Sequence, residues 1–345
     1  MSTSRVGSIN APRPQPQSIP PDISVVVPTY RRPAMLATCL DAIAAQQLDC
    51  TRYEIVVCDD GPEDVATRAF VDRFAARQAA RGLAVRYVPV TATQGPAAAR
   101  NAGWRVARAP LVAFTDDDTI PDPRWLAAGL AATGRANADA VSGRIVMPLP
   151  DHPSDYELDA SGLSRAEFAT ANVFVRRAAL EATGGFDERF TAAWREDSDL
   201  QFTLLNAGCR IVRADDAIVV HPVRPARWGV SLHQQKKSFF EALLFRKHPA
   251  MYRQRIDARP PLRYYAIVCS AVCALLAGLA GFGALAWFAL LVWAWLTAGF
   301  CVQRLRHTRR DWPHLAEMAW TSLLIPFLSV YWRLYGAFRF KVMFL

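Results

Sequence analysis

The sequence predicts an α/β protein, a mostly parallel sheet flanked by helices, followed by C-terminal helices apolar enough to cross a membrane. Three observations carry this prediction. Short apolar runs recur through the first half of the chain and alternate with segments of helical spacing. The runs end in polar or acidic residues, where α/β folds place their ligands. From Tyr264 to Val302 the chain then carries no charge at all, as a membrane segment requires.

Taken in order, residues 1–22 are rich in Pro, Ser and Gln and have no apolar h-region. They are expected to be a disordered lead, and the lack of a signal peptide keeps the following domain in the cytosol. Ile23-Ser24-Val25-Val26-Val27-Pro28 reads as a strand buried on both faces. A polar loop, Thr29-Tyr30-Arg31-Arg32-Pro33, leads into a helix over 33–45. Tyr53-Glu54-Ile55-Val56-Val57-Cys58 is a second strand, ending at Asp59-Asp60-Gly61. Residues 63–81 have helical spacing, 84–88 form a third strand, 97–107 a further helix, and Leu111-Val112-Ala113-Phe114 a fourth strand. Short connections between alternating strands and helices make right-handed crossovers the economical topology. Beyond Pro121 the pattern loosens. A helix is expected near 125–132, a strand over 140–147, a mobile loop over 148–164, a strand over 170–175 and a helix over 177–183 stopped by Gly184-Gly185. A helix over 200–207 and two short strands at 211–212 and 217–220 follow, the second ending at His221-Pro222.

The net charge is +9, and its distribution decides what it means. Ten Lys/Arg against two acids lie between Arg224 and Arg263, and more basic residues between Arg304 and Arg310, on both sides of the uncharged stretch. That is a juxtamembrane pattern, and no nucleic-acid-binding motif accompanies it. Residues 224–263 are read as a basic amphipathic helix lying on the membrane. One helix over 264–302 would be about 58 Å long against about 30 Å of hydrocarbon. The segment therefore breaks at Gly281-Phe282-Gly283 into a hairpin with both ends on the cytoplasmic side. The expected location is the inner (cytoplasmic) membrane, with the folded domain facing the cytosol. Within 303–345 a third apolar stretch, 315–338, contains Glu317, Pro326 and Arg333 and reads equally as a kinked span or an interfacial helix. The seven cysteines are scattered without a CxxC pair, which argues against a zinc site or a disulfide framework.

The chemistry concentrates at Thr115-Asp116-Asp117-Asp118-Thr119. Alternate acids such as Asp116 and Asp118 can bring hard oxygens to one Mg²⁺ or Mn²⁺, although a solvated acidic turn or a helix cap would use the same residues.

The blocks SVVVPTYRRP (24–33), EIVVCDDG (54–61), QGPAAARNAG (94–103), AFTDDDTIPDPRWL (113–126), ATANVFVRRAALEATGGFDERF (169–190) and WREDSDL (194–200) resemble, in order, those of family-2 glycosyltransferases with the GT-A fold. The resemblance covers about residues 23–222, giving a catalytic domain over 23–223. It implies that Pro28, Thr29 and Tyr30 border a nucleotide and that Asp60, or its neighbour Asp59, bonds the base; a turn-stabilising Asp before Gly61 is the structural alternative. Arg100 would lie near the nucleotide-sugar, its charge directed at phosphate or at the acids. Asp116 and Asp118 would bind the metal, with Asp117 beside them leaving the ligand open by one residue, and His221 would be either a further ligand or a strand-end residue. Asp197 would be the general base, paired with Glu196, which would raise its pKa by like-charge repulsion. Gly185 and Phe186 would lie on the acceptor side. Processive synthases of the family carry Gln-x-x-Arg-Trp after the catalytic acid, and nothing near His233-Gln234-Gln235-Lys236-Lys237 fits it. The implied activity is metal-dependent, inverting transfer of one sugar from a nucleotide-diphosphate donor, UDP ahead of GDP, to a glycan or lipid-linked acceptor at the membrane. A nucleotidyltransferase would require a Gly-rich loop after the first strand, which 29–33 lacks, and a non-catalytic scaffold would not require Asp116, Asp118 and Asp197.

Overall fold

The computed structural model describes residues 20–61 and 65–344. The expected disordered lead up to residue 19, and the first residues of the helix read over 63–81, lie outside the described residues.

The valine-rich first strand, β1 (Ile23–Thr29), lies inside an eight-stranded sheet of order β3-β2-β1-β4-β7-β6-β8-β5. Its neighbours β2 (Tyr53–Asp59) and β4 (Leu111–Phe114) run parallel to it, and β3 (Ala84–Pro89) runs parallel to β2. The crossovers are α1 (Pro33–Ala44), α2 (Val65–Ala79) and α3 (Pro96–Val106). Residues two apart share a sheet face. Val25 and Val27 therefore pack with Leu36 and Leu40 of α1 and Phe74 of α2, while Val26 faces α3. Gly103 makes that second contact possible, since a Cβ there would lie 2.4 Å from Val26 Cγ1 and 2.7 Å from Cys58 Sγ.

Beyond β4 the sheet becomes mixed. The chain forms β5 (Ile120–Pro121), α4 (Trp125–Ala136), β6 (Ala140–Val146), α5 (Asp155–Ser161), β7 (Val173–Arg176), α6 (Arg177–Thr183), α7 (Glu196–Asn206) and β8 (Ile211–Val220). β7 is antiparallel to β4 and β6, β8 is parallel to β6, and β5 is antiparallel to β8. Two expectations are corrected here. The mobile loop over 148–164 contains α5, because Ser154 and Glu157 form a reciprocal capping box. The two short strands at 211–212 and 217–220 are one strand, β8, whose register against β6 slips between Gly143 and Arg144 and leaves Asp215 and Asp216 exposed.

The basic stretch 224–263 is not one helix on a membrane. It is divided into α8 (Val230–Gln234), α9 (Ser238–Lys247) and α10 (Pro249–Arg255). The apolar residues Phe240, Leu243 and Leu244 of α9 are buried in one cluster with Phe190 and Phe202 of the sheet domain. Pro249, which cannot supply a backbone N–H, starts α10 where α9 ends. Three helices then follow that are long and apolar enough to cross a membrane: α11 (Leu262–Leu279), α12 (Gly283–Arg304) and α13 (Trp312–Arg339).

Candidate active site

The sheet's directions bring the functional residues to one rim. The carboxyl end of β4 is followed by a tight turn in which the Thr115 and Thr119 hydroxyls lie 2.7 Å apart and Thr119 Oγ1 donates to the Asp116 carbonyl at 2.8 Å. Pairing of Ile120 with Val220 then sets His221, the residue after β8, beside that turn.

The three adjacent acids leave the turn in different directions. Asp117 is buried and accepts from Thr29 Oγ1 at 2.8 Å and Arg32 Nη1 at 3.4 Å. Burial pushes its carboxyl above the usual range despite those donors. Asp116 accepts from Arg100 Nη2 at 2.7 Å. Burial alone would raise it, but Arg100, with His221 and Arg224 behind it, holds it below the ordinary range. Asp118 meets the Arg224 guanidinium through one oxygen. Its other oxygen, Oδ1, is buried without a hydrogen-bond partner, 3.6 Å from His221 Nε2. Ligand atoms of Asp116, Asp118 and His221 all lie within 4.8 Å of one another. Two carboxylates and an imidazole, one oxygen among them unpartnered, suit a divalent cation such as Mg²⁺ or Mn²⁺.

Glu196 and Asp197 occupy the first turn of α7, whose N-terminal dipole favours negative charge. Glu196 accepts from Arg100 Nη1 at 3.2 Å, so one buried guanidinium joins it to Asp116. Asp197 accepts from Thr170 Oγ1 at 2.7 Å. Burial raises both acids. For Asp197, Arg100 and Thr170 offset part of the rise; for Glu196 the neighbouring Asp197 adds to it. Desolvation is the leading cause of the rise at both acids, and the mutual repulsion of the two neighbours adds to it across the pair.

The remaining candidates separate into lining and support. Tyr30 is exposed beside Gly61, and Pro28, two residues before it, is half-buried. Asp60 is half-buried and accepts from the Gly95 N–H at 2.9 Å. Asp59 instead is fully buried, accepting from the Gly61 N–H at 3.0 Å and the Tyr87 hydroxyl at 2.8 Å, so it stabilises the turn and is closed to a ligand. Gly185 and Phe186 also lie beneath the surface. Asn101 holds the Phe186 backbone through its side chain, and the Phe186 ring lies 5.8 Å under the Arg100 guanidinium. They support Arg100 from beneath and are closed to direct contact with a ligand. The sequence alone gives no role to Arg224 or Thr170, although Arg224 follows His221 by three residues and Thr170 is the second residue of the block at 169–190.

The sequence pattern of glycosyl transferase family 2 matches residues 24–181, and that of glycosyl transferase family group 2 matches residues 111–335. The chain belongs to the family-2 glycosyltransferases. Among relatives of this glycosyltransferase, the glycosyltransferase AglE of Haloferax volcanii is 27% identical over 216 residues, 59% of this chain and 68% of AglE. The validoxylamine A glucosyltransferase of Streptomyces hygroscopicus subsp. limoneus is 33% identical over 235 residues, 56% of this chain and 50% of that enzyme. A dodecaprenyl-phosphate galacturonate synthase of Rhizobium johnstonii is 29% identical over 123 residues, 35% of each chain. The matches thus span from about a third to two-thirds of these relatives. The mannosyltransferase PcManGT from Pyrobaculum calidifontis, solved with GDP-Man and Mn²⁺, superposes with a TM-score of 0.59 at 21% identity, over 92% of this chain and 88% of that one. The glycosyltransferase therefore has the GT-A fold, followed by three apolar C-terminal helices.

Proposed function

We propose that this glycosyltransferase is a metal-dependent, inverting, non-processive enzyme that moves one hexosyl unit from a UDP-sugar to a lipid-linked acceptor at the cytoplasmic face of a membrane. The observation that carries the reading is Arg100, joining Asp116 to Glu196. It links the hard-donor cluster to Glu196, whose neighbour Asp197 is half-exposed. Displacement at an anomeric carbon needs such a pairing, with charge control on the departing side and a proton acceptor on the incoming side.

Asp116, Asp118 and His221 would hold Mg²⁺ or Mn²⁺, which when bound offsets the charge that builds on the departing diphosphate. Pro28, Thr29, Tyr30 and Asp60 border the nucleotide, with Asp60 offering a carboxylate to the uracil N–H. Asp197 accepts the proton of the acceptor hydroxyl while the hydroxyl oxygen bonds the anomeric carbon from the face opposite the nucleotide, so configuration inverts without a sugar–enzyme bond. The Thr170 hydroxyl orients that carboxylate, and burial raises its proton affinity. Arg100 keeps Asp116 ionised. A lipid-linked acceptor is favoured by the apolar helices and by the dodecaprenyl-phosphate relative. Single transfer is favoured by the missing Gln-x-x-Arg-Trp segment.

The test is thermal stabilisation of the purified protein in detergent. UDP-sugars with Mn²⁺ should raise Tm more than GDP-sugars do, because a ligand that binds only the folded state stabilises it by mass action. Asp118→Asn should remove the metal-dependent part of the shift. No stabilisation by any nucleotide-sugar, with or without metal, would reject the assignment.

A further inference from the structure

Length and composition allow α13 to span a bilayer, since 28 residues reach about 42 Å against about 30 Å of hydrocarbon. Its contacts do not. At its start, the Gly229 N–H donates to Glu317 Oε1 at 2.6 Å and Trp228 Nε1 donates to the Pro313 carbonyl at 3.4 Å. At its end, Arg246 Nη1 donates to the Phe340 carbonyl at 2.6 Å, and the Phe239 ring stacks on Tyr335 at 5.4 Å. Phe239 and Arg246 belong to α9, which is built into the sheet domain through Phe190 and Phe202. Both ends of a helix about 40 Å long therefore rest against the catalytic side. A helix crossing the membrane would carry Phe340 a full hydrocarbon thickness away from Pro313.

The hairpin gives the same answer. Ile325, midway along α13, packs with Ile267 near the start of α11 and Phe300 near the end of α12. Arg304, the last residue of α12, donates to Thr321 Oγ1 at 2.6 Å and to Asp155 Oδ2 at 2.6 Å. The opposite end of the hairpin, at Leu279 and Phe282, is 78% and 64% exposed. Thus α13 passes across the base of the hairpin, beside the ends that join the catalytic domain.

Its buried face mixes hydroxyls such as Thr321 and Ser322 with apolar Ile325 and Val330, while Trp312 and Phe338 are 83% exposed and Trp320 and Tyr331 also point outward. An aromatic outer edge on a helix parallel to the surface suits the boundary between headgroups and acyl chains.

Resting on the membrane attachment proposed above, we infer that α13 lies in the plane of the leaflet beneath the catalytic domain, its aromatic edge docked in the headgroup–acyl boundary. Only α11 and α12 cross the membrane, and the chain after α13 stays on the catalytic side.

The full chain carrying a protease-cleavable tag at each end, expressed in a bacterial host, tests this. Protease added to inverted vesicles should remove both tags, and protease added to spheroplasts should remove neither. A C-terminal tag cut in spheroplasts, with the N-terminal tag cut only in inverted vesicles, would overturn the in-plane placement while leaving attachment standing. Recovery of the protein in the soluble fraction would overturn attachment itself. In vesicles of brominated lipid, Trp320→Phe should lower the fluorescence quenched by bromine near the headgroups and leave the share quenched near the bilayer centre unchanged. An unchanged shallow share would overturn the lipid contact, as it would if another protein covered this edge.

Discussion

The acids at 116–118 and those at 196–197 occupy one rim of the sheet, but the protein handles their charge differently. In the first group each carboxylate has its own cationic neighbour: Arg100 at Asp116, Arg32 at Asp117 and Arg224 at Asp118. In the second group buried Glu196 takes the same Arg100 that serves Asp116, and half-buried Asp197 has the Thr170 hydroxyl as its donor. Accordingly Asp116 is held low and Glu196 and Asp197 are pushed up. The contrast separates Asp116, held toward its ionised form, from an acid pair whose proton affinity is raised, while burial lifts Asp117 on the first turn as well.

The sharpest way to break this contrast is Asp197→Asn. It should lower kcat by about 10²–10⁴-fold, the usual contribution of a positioned base, and leave metal-dependent donor binding intact. Normal transfer by that variant would transfer the role of base elsewhere. Next, Arg100→Met leaves Asp116 and Glu196 buried without their shared counter-charge. Removing one partner of a buried pair costs about 3–5 kcal/mol, to be read from chemical denaturation.

The pH profile sharpens the comparison without mutation. As the proposed base Asp197 would have to be deprotonated, and its folded pKa is raised above the ordinary carboxylate value, chiefly by burial. The acid limb of kcat/KM should therefore fall at a higher pH than an exposed aspartate would give, with activity lost as pH drops through that limb. Arg100 lowers the pKa of Asp197, so loss of its charge should move the limb higher still.

The smallest effect concerns the floor beneath Arg100. Gly185 has φ +73°, and a Cβ there would lie 2.6 Å from Trp104 Nε1 and 2.7 Å from Asn101 Oδ1. Gly185→Ala should cost about 1–3 kcal/mol of stability through overpacking, with a milder loss of turnover as Phe186 shifts under the guanidinium.

How much of this the sequence discloses depends on where the determining contacts lie. The runs 23–28, 54–58 and 111–114 belong to strands buried almost throughout, and a continuous apolar run announces that locally; the run 84–88, interrupted by Arg86, forms a half-buried edge strand. The acids that follow β2 and β4 are legible for the same reason. The two-residue β5 is not, because its pairing with Val219 and Val220 comes from a partner a hundred residues away. That same pairing brings His221 to Asp118, which is why its two readings stay open from sequence alone. Arg100 is similar: its fixed charge suits phosphate or carboxylate, and only the packing of α3 against β1 directs it to Asp116 and Glu196. The Ser154–Glu157 capping box is written in the sequence, but the polar composition around it suggests a loop. The aromatic residues of α9 suggest a membrane face, whereas Phe190 and Phe202, which cover them, come from another part of the chain.

With α13 in the leaflet as inferred, its clamping along α8 and α9 and the tie from Arg304 to Asp155 would leave the candidate active site little freedom to rise from or tilt over the membrane. A substrate embedded in the same leaflet would then reach Asp197 by sliding sideways, at a fixed height. Turnover should follow the substrate's mole fraction among the lipids, whatever the total volume of the suspension.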